Sequence, residues 1–338
     1  RDTVRFEEDV YFFTQPDDDN LDLYHWTRYQ LLGDNYTLPF TLYDVHPGGD
    51  ALLRARYQGM TSGFHYIDFS IIDGASEENY VGQFAFVGIS QNMSEDIYES
   101  PSLPPSFFTD GEHTLRAIGT RGSGANLDWF EFEYDREFTS RGRLGFTNAG
   151  ENGVSQFEVD GFALDEFRLF DVTDPFETVE LTLGPENIGG GAGDYTLTFQ
   201  DDVPGFTRYE TVEGSGYHSV ADIERRDAAG LWSDEADVIV VSYDGLASGV
   251  EPLISHRESE GWVVAHALIS EVYDEFGGGL KSLEALRNYF DYAFREWERA
   301  PQFVMLVGDA TSDPKGAEST SQTDFIPTLL GHGSSSYP

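Results

Sequence analysis

The hydrophobic pattern of this chain changes character near residue 232, and the two patterns demand two kinds of sheet. Before that point, short apolar and aromatic runs alternate with turn-forming clusters. Phe130-Glu131-Phe132-Glu133-Tyr134 is the clearest run. Its period of two puts rings on one face and carboxylates on the other, as suits a strand with one face buried and one in water. Val10-Tyr11-Phe12-Phe13, Phe84-Ala85-Phe86-Val87, the stretch 113–118, Leu144-Gly145-Phe146 and Phe157-Glu158-Val159 continue the theme between glycine-rich breakers. Many short strands with no helical period predict a jelly-roll-like β-sandwich over residues 1–170. Residues 171–231 carry the turn Asp174-Pro175, the run Gly189-Gly190-Gly191 and the strand 195–199. They read as a β-containing connector, with the glycines as a flexible hinge or loop.

After residue 232 the apolar runs become continuous. Val238-Ile239-Val240-Val241 is β-branched throughout, as fits a strand buried on both faces. A helix over 249–260 ends at Gly261, and a second strand covers 262–268. Ser282 is a good N-cap for an amphipathic helix in which Leu283, Leu286, Phe290, Ala293, Phe294 and Trp297 recur at three- and four-residue spacing. Pro301 stops it, and a third buried strand covers 303–307. Strand, helix, strand, helix, strand implies right-handed crossovers and a parallel sheet. The fold class is thus multi-domain β plus α/β, with residues 232–338 holding the first part of a three-layer domain.

Charge and residue usage narrow the functions. Asp and Glu total 61 against 20 Lys and Arg, giving a net charge of −41, and Lys281 and Lys315 are the only lysines. Such a surface repels nucleic acid and anionic membranes. Acidic excess with so few lysines points to a protein that stays soluble in high salt. No cysteine occurs, so these residues supply no thiolate nucleophile and no disulfide. No run of about 18 apolar residues exists to span a membrane as a helix.

The residues from Gly261 through Gly279, Leu286-Arg287-Asn288-Tyr289-Phe290, the stretch 300–310 ending in Gly308-Asp309-Ala310, and Phe325-Ile326-Pro327-Thr328 together resemble the gingipain-like peptidase family C25. Upstream, the stretch 167–175 resembles the segment joining that family's β region to its peptidase domain. The resemblance implies a caspase-like catalytic domain and a secreted or surface-held bacterial endopeptidase acting on protein or peptide substrates. It implies a His–Cys dyad in which the thiolate attacks the scissile carbonyl and the imidazole handles the proton, with no cofactor required. The dyad is expected downstream of residue 338, and the partial α/β sheet is expected to pair with the rest of its domain. A non-catalytic accessory module of a cell-surface or type IX secretion protein, its sandwich binding glycan or protein, is the alternative.

Individual residues carry these readings further. His332 lies in a Gly-His-Gly string like that of the family's catalytic histidine, yet it follows Ile326-Pro327-Thr328 with no strand between, as a flexible loop would. Asp309 stands at the carboxyl end of a parallel strand, where open α/β sheets line their ligand crevice; it reads as a cleft-edge residue or as a cap on the next turn. Asp17, Asp18, Asp19 and Asp22 offer hard oxygen ligands suited to calcium, although so acidic a chain also produces such clusters by composition. The remaining histidines form no metal-binding pair and read as ordinary core or surface residues.

Overall fold

The computed structural model describes all residues except 1, 13–23, 28–30, 75, 89–96, 123, 149, 151, 204, 219–229, 233–234, 312, 317–322 and 328–338. Backbone contacts gather the chain into two units, Arg1–Glu7 with Thr27–Ile223, and Glu8–Trp26 with Glu224–Pro338.

Among the described residues, ten strands lie within the first 134 positions: β1 (Asp2–Glu7), β2 (Tyr11–Phe12), β3 (Tyr24–His25), β4 (Asn35–Leu42), β5 (Ala51–Gly59), β6 (Phe64–Ile72), β7 (Glu78–Val87), β8 (Ile97–Glu99), β9 (Gly111–Gly122) and β10 (Ala125–Tyr134). Among the described residues, β2 and β3 pair with each other as a two-stranded sheet. The rest form two antiparallel four-stranded sheets, β1-β10-β5-β8 and β4-β9-β6-β7. The rings that alternation predicted on one face of β10 close the gap between them: Phe40 of β4 stacks on Phe132 at 4.7 Å and meets Phe130 edge-on at 5.8 Å. Tyr57 of β5 and Tyr98 of β8 pack against Phe69 and Phe84 in the same way. On the other face of β10, Glu131 and Glu133 take ion pairs from Arg5 and Arg54. Gly122 ends β9 with φ +93°; a Cβ there would lie 1.7 Å from the Phe64 carbonyl oxygen, so only glycine fits this close approach.

A second pair of sheets follows, built from β11 (Arg143–Thr147), β12 (Gly153–Phe162), β13 (Phe167–Asp171), β14 (Val179–Leu181), β15 (Ile188–Gly191), β16 (Asp194–Val203) and β17 (Arg208–Glu213). Their orders are β11-β17-β13-β14 and β12-β16-β15, so strands on both sides of residue 170 share each sheet. Phe146, Phe157, Phe199 and Tyr209 fill the space between. The glycine run read as a flexible hinge or loop is a strand instead. Gly189, Gly190 and Gly191 pair with Thr196, Tyr195 and Asp194, and Gly190, at φ +77°, passes within 2.2 Å of the Asp194 oxygen from where a Cβ would stand. These glycines serve a tight hairpin, which composition alone does not distinguish from a flexible link.

The second unit holds β18 (Val238–Ser242), α1 (Ala247–Ser259), β19 (Val264–Leu268), α2 (Ile269–Phe276), α3 (Leu283–Glu296) and β20 (Phe303–Val307). The sheet is parallel, in the order β19-β18-β20. Val250 and Ile254 of α1 cover one face over Val240. Val272 of α2 and Leu286, Tyr289 and Ala293 of α3 cover the other over Ile239 and Val241. This is a three-layer α/β arrangement, and β18 is buried on both sides as its sequence required. Ser282 caps α3 by accepting the Ala285 N–H at 3.1 Å. The buried stripe of this helix and its end runs Leu286, Tyr289, Ala293, Trp297; Phe294, counted as core from its spacing, faces water at 67% exposure. Helix α2 was not anticipated. Its start lacks a Ser, Thr or Asp cap, and Glu271 supplies the missing acceptor to the Leu268 N–H at 2.8 Å.

Candidate functional site

Parallel strands deliver their last residues to one edge, and the loops beyond them shape any crevice there. Here that edge receives Ser242 from β18, Leu268 and the start of α2 from β19, and Gly308-Asp309 from β20. Asp309 is exposed, and its backbone oxygen accepts the Phe325 and Ile326 N–H groups at 3.0 and 3.3 Å. The returning segment 323–327 is thus laid along the same edge. Asp324 in that segment is buried, accepts the Thr311 N–H at 3.2 Å, and is neutralised by Lys281 at 2.9 Å. Lys315, the other lysine, pairs with Asp9.

Two groupings at this edge were not visible in the sequence. Ser242 Oγ and His266 Nε2 share a hydrogen bond of 2.8 Å, and Glu251 of α1 stands 3.6 Å from His266 Nδ1. The order hydroxyl, imidazole, carboxylate is that of a serine hydrolase, but Ser242 is completely buried and no substrate carbonyl reaches it. The contact instead ties the ends of β18 and β19 together. Tyr273 of α2 is the second. Its hydroxyl makes no hydrogen bond among the described residues. Burial, and then the Asp324 and Asp244 carboxylates, push it up to about 12, so it remains a neutral donor at this edge. Asp244 also accepts the Ser270 hydroxyl.

Among the described residues, the edge thus gathers the carboxylates of Asp244, Asp309 and Asp324 with the hydroxyls of Ser270 and Tyr273. Asp309 lies where the sequence placed it. His332 and the cluster Asp17, Asp18, Asp19 and Asp22 lie outside the described residues. No group of three or more His, Asp or Glu able to hold a metal occurs among the described residues.

β-Sandwich sheets followed by a three-layer unit with a short parallel sheet define a multi-domain β plus α/β protein. Residues 232–338 match the family model described as peptidase family C25, so the gingipain-like resemblance holds over that segment. Among solved structures, dimeric latent PorU from Porphyromonas gingivalis superposes with a TM-score of 0.67 at 16% identity. The match covers 96% of this chain and 32% of that one, so the chain shares this fold while spanning about a third of PorU's length. A GH115 4-O-methyl-α-glucuronidase (18% identity, 30% of this chain and 13% of that one) and the VP2 subviral particle of infectious bursal disease virus (10%, 62% and 40%) reach TM-scores of only 0.21 and 0.24, too low to define a shared fold. A search of curated proteins finds no match.

Proposed function

We propose that this chain is a portion of a secreted or surface-held gingipain-like cysteine endopeptidase, with its His–Cys dyad carried by later strands of the same sheet. The observation that carries this reading is β20. It forms one edge of the parallel sheet, and Phe303, Val304, Met305 and Leu306 are exposed by 56, 47, 40 and 47%. Alternate residues of a strand point to opposite faces, so β20 is apolar and uncovered on both. Beside it, Val238, Val240, Ile254, Trp262 and Val264 line an open groove of about 440 Å³ between the sheet and α1. A wet, two-sided apolar edge strand invites non-specific pairing, and a further parallel strand with its crossover helix removes that hazard. The family match over 232–338 and the PorU-like fold support the same reading.

The test compares this chain with a longer product of the same gene that extends through a strand ending in cysteine. On casein and mixed fluorogenic peptides the 338-residue chain is inactive, and the longer product is active and blocked by iodoacetamide. Met305→Glu leaves the folding of the shorter chain unchanged and abolishes activity of the longer one. Peptide hydrolysis by the shorter chain that disappears in His332→Ala would place the centre within these residues and overturn the proposal.

A further inference from the structure

The outward face of the sheet β4-β9-β6-β7 carries side chains that the sandwich core does not use. Phe64 and Tyr80 stand in water at 62 and 60% exposure. They mark the two ends of one strip, because Phe64 opens β6 while Tyr80 of β7 lies opposite Ser70. Six residues of strand separate those points, roughly 20 Å at about 3.3 Å per residue. Next to Phe64, the Tyr66 ring lies nearly parallel to it at 27°, with centroids 6.3 Å apart. The Arg121 guanidinium lies 4.5 Å from the centre of the Tyr66 ring, a cation–π contact that fixes the ring in place. Between the two ends, the Gln83 amide donates to Asp68 and, at 3.3 Å, to Thr120 Oγ1. The strip reads aromatic, polar, aromatic along one strand direction.

Sugar rings make this combination of demands. A pyranose with equatorial hydroxyls has an apolar C–H face that lies flat on an aromatic ring, whose electron-rich face attracts it. Its rim of hydroxyls needs carboxylate, amide and hydroxyl partners held together. The strip supplies both, spaced for an extended chain. The charge of the ligand follows from the surroundings. Both arginines on this face are engaged, Arg116 by Glu78 at 2.8 and 2.9 Å and Arg121 by the Tyr66 ring, and the net charge of −41 repels polyanions. An extended peptide is better served by a sheet edge, where its backbone adds to the ladder, than by a face. We propose that this face binds a neutral, β-linked polysaccharide. The site lies wholly in the first unit, so it stands or falls independently of the peptidase reading.

Affinity electrophoresis of the full chain decides it, in native gels containing hydroxyethylcellulose, xylan, laminarin or galactomannan, with alginate as the anionic control. At least one neutral gel retards the chain and alginate does not. Tyr66→Ala and Tyr80→Ala each weaken retardation about tenfold, the size of one good ring contact, while circular dichroism stays unchanged. Thr37→Ala, elsewhere on the sheet, retains binding. Absence of retardation in all four neutral gels overturns the proposal. So does retardation only by alginate, or retardation that survives in both tyrosine variants.

Discussion

Asp44 shows how one residue holds the first sandwich together despite the surplus of negative charge. Its side chain is almost wholly buried and takes Arg141 through both oxygens, at 2.8 and 3.1 Å, and Arg136 at 3.0 Å. Arg136 also reaches Asp2 at 2.9 Å, fastening β1. Burial alone raises the Asp44 carboxyl, but the hydrogen bonds and charges of Arg141 and Arg136 outweigh it and hold the group below its usual range. The residue sits at φ +55°, which Asp and Asn both tolerate, so Asp44→Asn removes charge without straining the backbone. The variant loses about 3 kcal/mol at pH 7, the low end for breaking a buried pair, because Arg141 is half exposed. The sign with pH is fixed by the depressed value. The carboxylate's contribution is fully present above the unfolded pKa of about 3.9 and is lost as pH falls through the lower folded value. Urea unfolding of both proteins at pH 7 and pH 3 checks this, since general charge repulsion cancels in the comparison; a gap that does not narrow at pH 3 rejects it.

Among elements, α3 separates what local spacing reveals from what it hides. Leu286 is 2% exposed against the sheet while Phe294 is 67% exposed, although both fit a three-and-four periodicity. Leu286→Ala therefore costs about 2–5 kcal/mol, and Phe294→Ala stays within about 0.5 kcal/mol. Chemical denaturation followed by helical circular dichroism, whose signal comes from the second unit, tests the pair; equal losses contradict the packing. β18 and the Ser282 cap were legible because their signals are local: a β-branched run, a hydroxyl before a periodic stretch. α2 was not, because its N-terminal acceptor comes from Glu271 three residues inside the helix. The pairing of Ser242 with His266 was not legible either. It depends on the register that sets Ser242 opposite Leu268, and parallel register is fixed by the packing of α1 and α2 rather than by either strand. The glycines of β15 misled for a related reason, since what a glycine permits depends on the strand across from it.

At the scale of the whole molecule, charge sets the conditions under which any of this folds. Its 61 acidic side chains face 20 Lys and Arg, so 41 carboxylates remain unmatched whatever the pairing. Salt acts on both populations. It weakens pairs such as Arg168–Glu180 and Arg257–Glu260, which are solvent-exposed and contribute little. It also screens the repulsion among the surplus, and that repulsion grows with the square of the net charge while the pairs only add. Screening therefore wins, and the thermal midpoint rises with chloride concentration. The shape of the rise identifies the cause. The Debye length falls from about 10 Å at 0.1 M to about 3 Å at 1 M, so most of the gain comes at the dilute end and levels off near molar salt. Stabilisation through stronger hydrophobic burial instead keeps climbing with concentration and is larger in sulfate than in chloride. Melting curves in potassium chloride, with potassium sulfate matched for ionic strength, distinguish the two. Coincident, saturating curves support screening of the surplus carboxylates, and a flat or falling midpoint in chloride shows that the native state does not feel their repulsion.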